Sequence, residues 1–511
     1  MGFLNLLTKK DSIKNKIGYE IINEKALHRN TSVTVIVPVY NAEKWLQRTV
    51  DSVLLQNLGR DNITCILVDD HSTDGSKKLM KKYSNMYENV VSVFLEQNTG
   101  TPAHPRNLGV HLANSEYVFF LDADDWLYPT GIKTLFDLLE ETNANYAVGK
   151  TIEVNSKSEK VIGRYESSRE RRNVSPYLIK HFFYHLGPRS RMVRLKLIRD
   201  NNITFPEMKF AEDKQFFIDV IIAADTVSTT TEPVYYLNRL DENDSLVKQT
   251  DIMQKMDTNI AVLKHVLKKN LPPEKEKNIV NRIIEFDSIT RLFDRNHFVK
   301  SKNKQAYFDK FHKVISIFTA AKRSYSFEET IIKPINKQYY HFAMNHEYEK
   351  LVLLAKWSKK NGEVSYLSKD GLSYKQAHLE DGTKLLLPIE VKAELLKQDI
   401  VANEIKLEIQ VLSHSEVNVE SCILQSRESA IDTYRFKVDL SQSGNVVNVT
   451  IPLEKLSELD ATGYQFLLGY NDYEKTLVQK DNEAELRVEI DSEKQLKLYK
   501  TINGNIGVKI S

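Results

Sequence analysis

Apolar residues follow two different patterns in the first third of the chain. Between residues 42 and 55 they recur at helical spacing, as at Trp45, Leu46 and Val50. Nearly continuous apolar runs of strand length flank and follow this stretch at residues 33–37, 63–68, 90–95 and 117–121. Strands that alternate with amphipathic helices predict a parallel sheet with helices on both faces. We therefore expect an α/β domain over residues 31–244, preceded by an N-terminal extension over residues 1–30.

The pattern becomes wholly helical after this domain. Met256, Ile260, Leu263 and Leu267 repeat at intervals of three and four residues. This spacing predicts a helix with one buried face. We expect a helical linker over residues 245–361.

Beyond residue 362 the period falls to two, which is typical of half-buried strands. Ile405, Leu407, Ile409 and Val411 alternate with charged or polar residues. Hairpin signals occur at Asp370-Gly371, Asp381-Gly382 and Asn503-Gly504. The sequence predicts an all-β, sandwich-like domain over residues 362–511.

Polar residues gather at the ends of the predicted strands. In parallel α/β sheets, ligands bind at the carboxyl ends of the strands. Those ends hold Pro38, Asp69-Asp70, Asn98 and the acidic run Asp122-Ala123-Asp124-Asp125. This convergence predicts a binding site at one edge of the sheet.

The acidic run has two interpretations. Three carboxylates within four residues are costly to hold together unless a cation neutralises them, and Mg²⁺ or Mn²⁺ prefers such hard oxygen ligands. Alternatively, Asp124 or Asp125 caps a helix that the sequence predicts over residues 126–138. The position after an apolar strand favours the metal site.

Other polar residues also allow a structural explanation. Asp70 could accept a hydrogen bond from a nucleobase or ribose, or cap the following helix. Arg106 is a candidate contact for a nucleotide or phosphate. The adjacent Glu212 and Asp213 stand at a predicted helix start, where acids also complement the helix dipole. The absence of a Walker A loop, a Rossmann glycine fingerprint, HExxH and paired CxxC motifs argues against several common enzyme classes.

Composition and charge narrow the class of protein. The 511 residues exceed what one hydrophobic core accommodates, and a net charge of +2 provides no general attraction for nucleic acid. Cys65 and Cys422 are expected to be buried, reduced thiols. No apolar run is long enough for a membrane span. We expect a cytoplasmic protein whose N-terminal lysines are either simply solvated or loosely attracted to an anionic membrane face; these are Lys9, Lys10, Lys14 and Lys16.

Three blocks of sequence resemble the inverting GT-A glycosyltransferases of family 2. They are Val35-Ile36-Val37-Pro38-Val39-Tyr40-Asn41, Val68-Asp69-Asp70-His71-Ser72-Thr73-Asp74 and Asp122-Ala123-Asp124-Asp125. A narrower resemblance is to the wall-teichoic-acid enzymes that add N-acetylglucosamine to poly(ribitol phosphate). It is carried by Asn98-Thr99-Gly100, Pro105-Arg106-Asn107 and Ala211-Glu212-Asp213, and by the order of the predicted domains.

The resemblance implies a role for each matching position. Asp122 and Asp124 would form a DxD motif that holds Mn²⁺ or Mg²⁺ against a diphosphate. Asp213 would be the catalytic base, with Glu212 beside it, and Arg191 would lie near donor or acceptor phosphates. The residues implied around the uridine of a UDP-sugar are Pro38, Asp70, Asn98 and Arg106. Lys214 departs from the relatives, which commonly run Glu-Asp-Gln without an intervening residue.

The resemblance also implies partners and leaves alternatives open. The expected acceptor is a polyanionic cell-wall polymer, and a homo-oligomer, such as a trimer, is expected through the C-terminal region. A capsular or other surface polysaccharide is an alternative acceptor. Alternatives of another kind are a non-catalytic glycan-binding scaffold and a phosphotransferase or nucleotidyltransferase, which would use similar paired acids.

Overall fold

The computed structural model describes residues 17–240, 251–360, 364–369, 372–414, 416–428, 433–440 and 445–511. These residues form two compact units, described separately below. The first lies within residues 1–156, 161–283 and 317–325, and the second within 157–160, 284–316 and 326–511. The N-terminal lysines and the Asp370-Gly371 turn signal lie outside the described residues. In the described part of the chain, no helix has both the length and the apolar character needed to span a membrane.

A mixed sheet forms the centre of the first unit. Its strands are β1 (Tyr19–Ile22), β2 (Val33–Val39), β3 (Ile63–Asp69), β4 (Val90–Leu95), β5 (Tyr117–Phe120), β6 (Trp126–Leu127), β7 (Tyr146–Val154), β8 (Glu159–Ile162), β9 (Arg171–Val174), β10 (Arg191–Arg194) and β11 (Val227–Asn238). The main strand order is β1-β4-β3-β2-β5-β10-β7-β11-β6. β2 is parallel to β3 and β5, and β3 is parallel to β4. β10 is antiparallel to β5 and β7, so the sheet is mostly but not wholly parallel.

Helices pack against this sheet because their apolar faces match its buried strands. They are α1 (Glu43–Leu54), α2 (Ser76–Met86), α3 (Ala103–Leu112), α4 (Gly131–Thr142), α5 (Leu195–Asp200) and α6 (Glu212–Ala224). Leu46 and Val50 of α1 share one core with Val33 and Val35 of β2. The predicted α/β architecture, including the helix near residues 42–55, is confirmed. Short 3₁₀ helices occur at Glu24–His28, Arg60–Asn62, Pro176–Leu178 and Phe182–Tyr184.

The predicted helix over residues 126–138 is wrong at its start. Trp126 and Leu127 form β6, which pairs with Tyr236 and Tyr235 of β11. Cross-strand pairing with β11 therefore overrides the local helical pattern. The helix α4 begins only at Gly131, so neither Asp124 nor Asp125 is its cap.

The next helices are α7 (Ile252–Leu267) and α8 (Pro273–Asn281), which belong to the first unit. The predicted apolar face of α7 is confirmed, since Met256, Ile260, Leu263 and Leu267 are all buried. A π-helical run, Arg282–Thr290, contains the division between the units. Later helical segments are Arg291–Phe293, Asn296–Lys300, Gln305–Ala320, Glu328–Thr330, Pro334–Met344 and Tyr348–Lys359.

The C-terminal part of the second unit consists almost wholly of strands, as predicted. β12 (Val364–Lys369), β13 (Leu372–His378) and β14 (Lys384–Pro388) form a small antiparallel sheet. A larger sheet contains β15 (Val391–Val401), β16 (Glu404–Ser413), β17 (Val419–Ser426), β18 (Thr433–Leu440), β19 (Val446–Pro452), β20 (Gly463–Tyr470), β21 (Glu474–Gln479), β22 (Leu486–Glu489), β23 (Gln495–Lys500) and β24 (Ile506–Ile510). β20 pairs with both β21 and β17, which closes the strands around one apolar core. A short helix, Leu453–Leu456, follows β19.

Local features of this region also match the sequence pattern. The alternating residues Ile405, Leu407, Ile409 and Val411 are buried in that core. Turns at Gly382 and Gly504 have φ of 85° and 75°, a conformation that favours glycine. Both cysteines are free and buried, as expected.

Candidate active site

The candidate site lies at the carboxyl ends of β2, β3 and β5. Pro38 pairs in register with Val68, and the Asp70 amide donates to the Val39 carbonyl over 2.8 Å. Because β2 and β3 are parallel and adjacent, their terminal residues meet at one edge of the sheet. This register brings the half-buried Pro38 beside Asp70, two residues that the sequence assigned to the same site.

Asp70 links the end of β3 to the loop after β4. Its Oδ1 accepts hydrogen bonds from the backbone amide and the hydroxyl of Thr99, each over 2.9 Å. Burial raises the pKa of the Asp70 carboxyl, although the hydrogen bonds from Thr99 oppose that rise. The next turn is shaped by the exposed Asn98, whose Oδ1 accepts from the Gly100 amide over 2.6 Å.

The capping role considered for Asp70 belongs to another residue. Asp74 Oδ1 accepts from the Ser76 amide, at the start of α2, over 3.0 Å. Asp70 is thus held by Thr99 at the sheet edge and does not cap the helix.

The acidic turn after β5 contains one buried, hydrogen-bonded carboxylate, Asp125, and two more accessible ones, Asp122 and Asp124. Asp125 is buried; its Oδ2 accepts from the Tyr235 hydroxyl and its Oδ1 from the Asn238 amide, each over 2.7 Å. Burial, and then repulsion from Asp124 and Asp122, raises the pKa of the Asp125 carboxyl well above its usual range. Asp122 keeps 29% of its side chain exposed, and Asp124 is also only partly buried.

Arg106 joins this turn to the second acidic pair. Its guanidinium donates to Asp122 Oδ1 over 2.7 Å and to Glu212 Oε1 over 2.8 Å. Only 4% of Arg106 is exposed, and its Nε atom has no hydrogen-bond partner within the described part of the chain. Burial alone would lower the pKa of Arg106, but the carboxylates of Asp122, Glu212 and Asp213 together raise it. Residues 106 and 212 are far apart in sequence, and the fold makes them one charged cluster.

The second acidic pair begins helix α6. Ala211 precedes it with φ of 67°, and Glu212 and Asp213 form the first helical turn. Burial, followed by repulsion from Asp213, raises the pKa of Glu212 to about 7, while Arg106 opposes that rise. Asp213 is only partly buried, and its Oδ1 accepts from the Lys214 amide over 2.7 Å. Glu212 thus faces the charged cluster, whereas Asp213 remains accessible.

Arg191 forms its ion pair with a carboxylate outside this cluster. It is fully buried, and its guanidinium donates to Glu166 Oε2 over 2.5 Å and to the carbonyls of Gly187, His185 and Arg189. In this structure Arg191 is an enclosed ion-pair partner of Glu166, and its role near the donor or acceptor phosphates, which the resemblance implied, stays a prediction. Long-range pairing with Glu166 supplies the physical reason for this burial, and local sequence gives no sign of it.

Several supporting residues were not identified from the sequence. Tyr235 and Asn238 hold Asp125, and the Thr49 hydroxyl donates to the carbonyls of Ala123 and Asp125 over 2.8 Å and 2.7 Å. Asn238 was the one recognisable signal, because it is a polar residue that ends a buried strand.

The acidic turn has the donor chemistry that a divalent metal requires. Asp122 and Asp124 offer hard carboxylate oxygens. After burial, repulsion from these two carboxylates contributes to the raised pKa of Asp125. Among the described residues, no group of three or more acidic, histidine or cysteine side chains is arranged to hold a metal by itself. Magnesium-type sites commonly use one or two carboxylates together with substrate phosphates. The residues present fit that kind of site.

Residues 34–199 match the family model described as glycosyl transferase family 2. The chain is 30% identical over 206 residues to the poly(ribitol-phosphate) beta-glucosyltransferase of Bacillus spizizenii, covering 40% of this chain and 32% of the relative. It is 33% identical over 210 residues to the poly(ribitol-phosphate) beta-N-acetylglucosaminyltransferase TarP of Staphylococcus aureus, covering 40% of this chain and 62% of TarP. The matches thus span about a third and somewhat under two thirds of these relatives' own lengths.

A solved structure has the same fold. The crystal structure of residues 1–349 of S. aureus TarS in complex with UDP-GlcNAc aligns with a TM-score of 0.57 at 21% identity. The alignment covers 70% of this chain and 99% of the TarS fragment. At this identity the likeness shows a shared fold.

Proposed function

We propose that this protein is a metal-dependent, inverting glycosyltransferase with a UDP-sugar donor, because residues 34–199 match the family model described as glycosyl transferase family 2. One observation carries the proposal. Arg106 joins Asp122 of the acidic turn to Glu212, the neighbour of the proposed base, so that the proposed metal-binding turn and the second acidic pair are held together. A site that only bound a glycan would have no need for this concentration of buried charge.

The donor end of the site would be formed by the sheet edge. Pro38, Asp70, Asn98 and Arg106 would surround the uridine, as the family resemblance implies. When bound to Asp122 and Asp124, Mn²⁺ or Mg²⁺ would offset the negative charge that develops on the leaving diphosphate. The names of TarP and TarS support N-acetylglucosamine as the transferred sugar, whereas the Bacillus spizizenii relative supports glucose.

Asp213 is the proposed base. Its partly exposed carboxylate would accept the proton of the acceptor hydroxyl, and the acceptor oxygen would attack the anomeric carbon from the face opposite the diphosphate. The bond between the anomeric carbon and the diphosphate oxygen would break in the same step and release UDP. The raised pKa of Glu212 also suits a base, but its carboxylate is buried and held by Arg106. Because a base must first reach its proton, geometry favours Asp213. Glu212 would hold Arg106 in place.

We propose poly(ribitol phosphate) as the acceptor, in line with the names of both curated relatives. The reaction would take place in the cytoplasm, with or without a loose attachment to the membrane face. The predicted homo-oligomer, formed through residues 362–511, is a separate proposal that light scattering of the full chain tests. A trimeric mass would support it and a monomeric mass at assay concentrations would refute it.

The test measures UDP release by the full-length protein with Mn²⁺ and purified poly(ribitol phosphate). UDP-N-acetylglucosamine and UDP-glucose are supplied in separate reactions, and Asp213→Ala serves as the control. Acceptor-dependent release that Asp213→Ala lowers by about 10² to 10⁴ supports the proposal. UDP release that does not depend on this polymer would still support a transferase activity. The acceptor would then be sought among capsular or other surface polysaccharides. No release and no UDP binding would refute an enzymatic function and leave a glycan-binding scaffold.

A further inference from the structure

Lys214 is a buried cation next to the proposed base. Only 7% of it is exposed, although it lies within the first turn of α6, between Asp213 and Gln215. Lysine is seldom buried to this extent unless its ammonium has a partner. Its Nζ atom donates to Oδ1 of Asn259 over 2.8 Å, and Asn259 is itself buried in α7.

The start of α6 needs such a contact because it has no conventional cap. The residue at the N-cap position, Ala211, carries no side-chain oxygen that could accept from the free amides of the first turn. Ala211 also has a positive φ of 67°, which is uncommon for a residue with a side chain. The direction of the first turn must therefore be fixed by contacts of the residues that follow.

Two side chains provide these contacts on different sides of the helix. Successive residues of an α-helix project about 100° apart, so Glu212 and Lys214 are separated by about 200° around the axis. Glu212 is held by Arg106 over 2.8 Å and Lys214 by Asn259 over 2.8 Å. Asp213 lies between them in sequence and in direction. The residues on both sides of Asp213 are thus anchored to other parts of the first unit.

A neighbouring aromatic ring supports the position of the lysine. The Nζ atom of Lys214 lies 5.9 Å from the centre of the Phe210 ring, within the range of a cation–π contact. Farther along the same two helices, His265 of α7 contacts Asp219 of α6 over 2.9 Å. This second contact joins the same helices but lies well beyond the first turn of α6, and it therefore provides a matched control.

We propose that Lys214 is a positioning residue that aligns the Asp213 carboxylate through Asn259, so that helix α7 takes part in building the catalytic site. The inference rests on the proposed function, because it concerns the base of that reaction. A misplaced base should slow transfer to the acceptor without weakening the binding of the donor. Displacements on the order of 1 Å in such sites lower rates by about 10²-fold.

The experiment compares Lys214→Met, Asn259→Leu and the control His265→Ala in the full-length protein. For each variant, kcat and KM are measured with UDP-N-acetylglucosamine, Mn²⁺ and poly(ribitol phosphate), alongside acceptor-independent UDP release and the melting temperature. Asn259→Leu breaks the same contact from the other side, and it decides the question if Lys214→Met does not fold.

We expect Lys214→Met and Asn259→Leu to lower the acceptor-dependent kcat by about 10- to 100-fold. The KM for the donor and the acceptor-independent release should change by less than about threefold, as should every parameter of His265→Ala. Unchanged kcat in both first-turn variants would overturn the inference. So would a parallel fall of kcat, donor affinity and melting temperature, since that result indicates a role in folding alone. An inactive wild type that does not bind UDP would instead refute the proposed function, and the inference with it.

Discussion

Replacing Arg106 by methionine is the most informative single change at this site. Methionine retains an unbranched apolar chain but removes the cation that lies between Asp122 and Glu212. Breaking a buried ion pair from one side costs about 3–5 kcal/mol, because the remaining charge is left without a partner. Where Glu212 is ionised, the cost should fall at the low end of this range, since Asp122 is 29% exposed and can be solvated.

The cost should depend on pH because Glu212 can take up a proton. Its pKa rises from 4.5 to about 7 in the folded protein, and Arg106 limits that rise. A raised folded pKa gives a contribution to stability that is fully present below about 4.5 and is lost as pH rises through the folded pKa. Without Arg106 the folded pKa lies higher, so this loss continues to higher pH. Between these two pH values a folded pKa of about 7 allows a difference of at most about 1.4 kcal/mol. The substitution should therefore cost about 2 kcal/mol near pH 6 and about 3 kcal/mol near pH 8.

Calorimetric melting of the full chain tests this expectation. Each kcal/mol corresponds to about 2–4 °C in a domain of about 150–250 residues, and the first unit is slightly larger. We therefore expect decreases of at most about 4–8 °C near pH 6 and about 6–12 °C near pH 8. Arg199→Met is the matched control, because Arg199 donates to the carbonyls of Val110, His111 and Ala113 at the end of α3 and contacts no carboxylate there. Its cost should be equal at both pH values. Equal decreases for Arg106→Met at the two pH values would refute the reasoning.

Three further substitutions test the packing and anchoring of the site. Gly131→Ala should lower the melting temperature, because its Cβ would lie 2.6 Å from the Val234 carbonyl oxygen, and overpacking typically costs about 1–3 kcal/mol; an unchanged melting temperature would contradict this. Tyr235→Phe should cost about 1–3 kcal/mol by leaving buried Asp125 short of one donor, measured by the same calorimetry, with no effect as the contrary result. Thr49→Val should weaken Mn²⁺-dependent UDP binding measured by titration calorimetry, since it frees the turn that Thr49 holds; unaltered binding would exclude that role.

The sequence was informative wherever chemistry follows directly from a strand end. Pro38, Asp70 and Asp122 each end or follow an apolar run, and parallel strands bring their carboxyl ends to one edge. The spacing of apolar residues alone also identified α7, because its buried residues recur at helical intervals along the sequence. These features depend on neighbours a few residues away.

Features that depend on distant partners could not be predicted in this way. Arg106 was recognised as a candidate, but its bridge to Glu212 joins residues 106 positions apart. The same limit explains Arg191, whose burial against Glu166 is a property of the folded chain. Secondary structure shows the same limit at Trp126, where pairing with the distant strand β11 overrides a local helical pattern.

The central claim is that one site combines a metal-assisted donor end with a separate base. Titration calorimetry with UDP-N-acetylglucosamine and Mn²⁺, paired with turnover on poly(ribitol phosphate), tests it on wild type, Asp124→Asn and Asp213→Asn. We expect Asp124→Asn to weaken binding by about tenfold or more, because it removes a proposed metal ligand. Asp213→Asn should bind the donor as the wild type does and lose about 10²- to 10⁴-fold in kcat. Wild-type turnover by Asp213→Asn, or equal loss of donor binding in both variants, would contradict this division of roles.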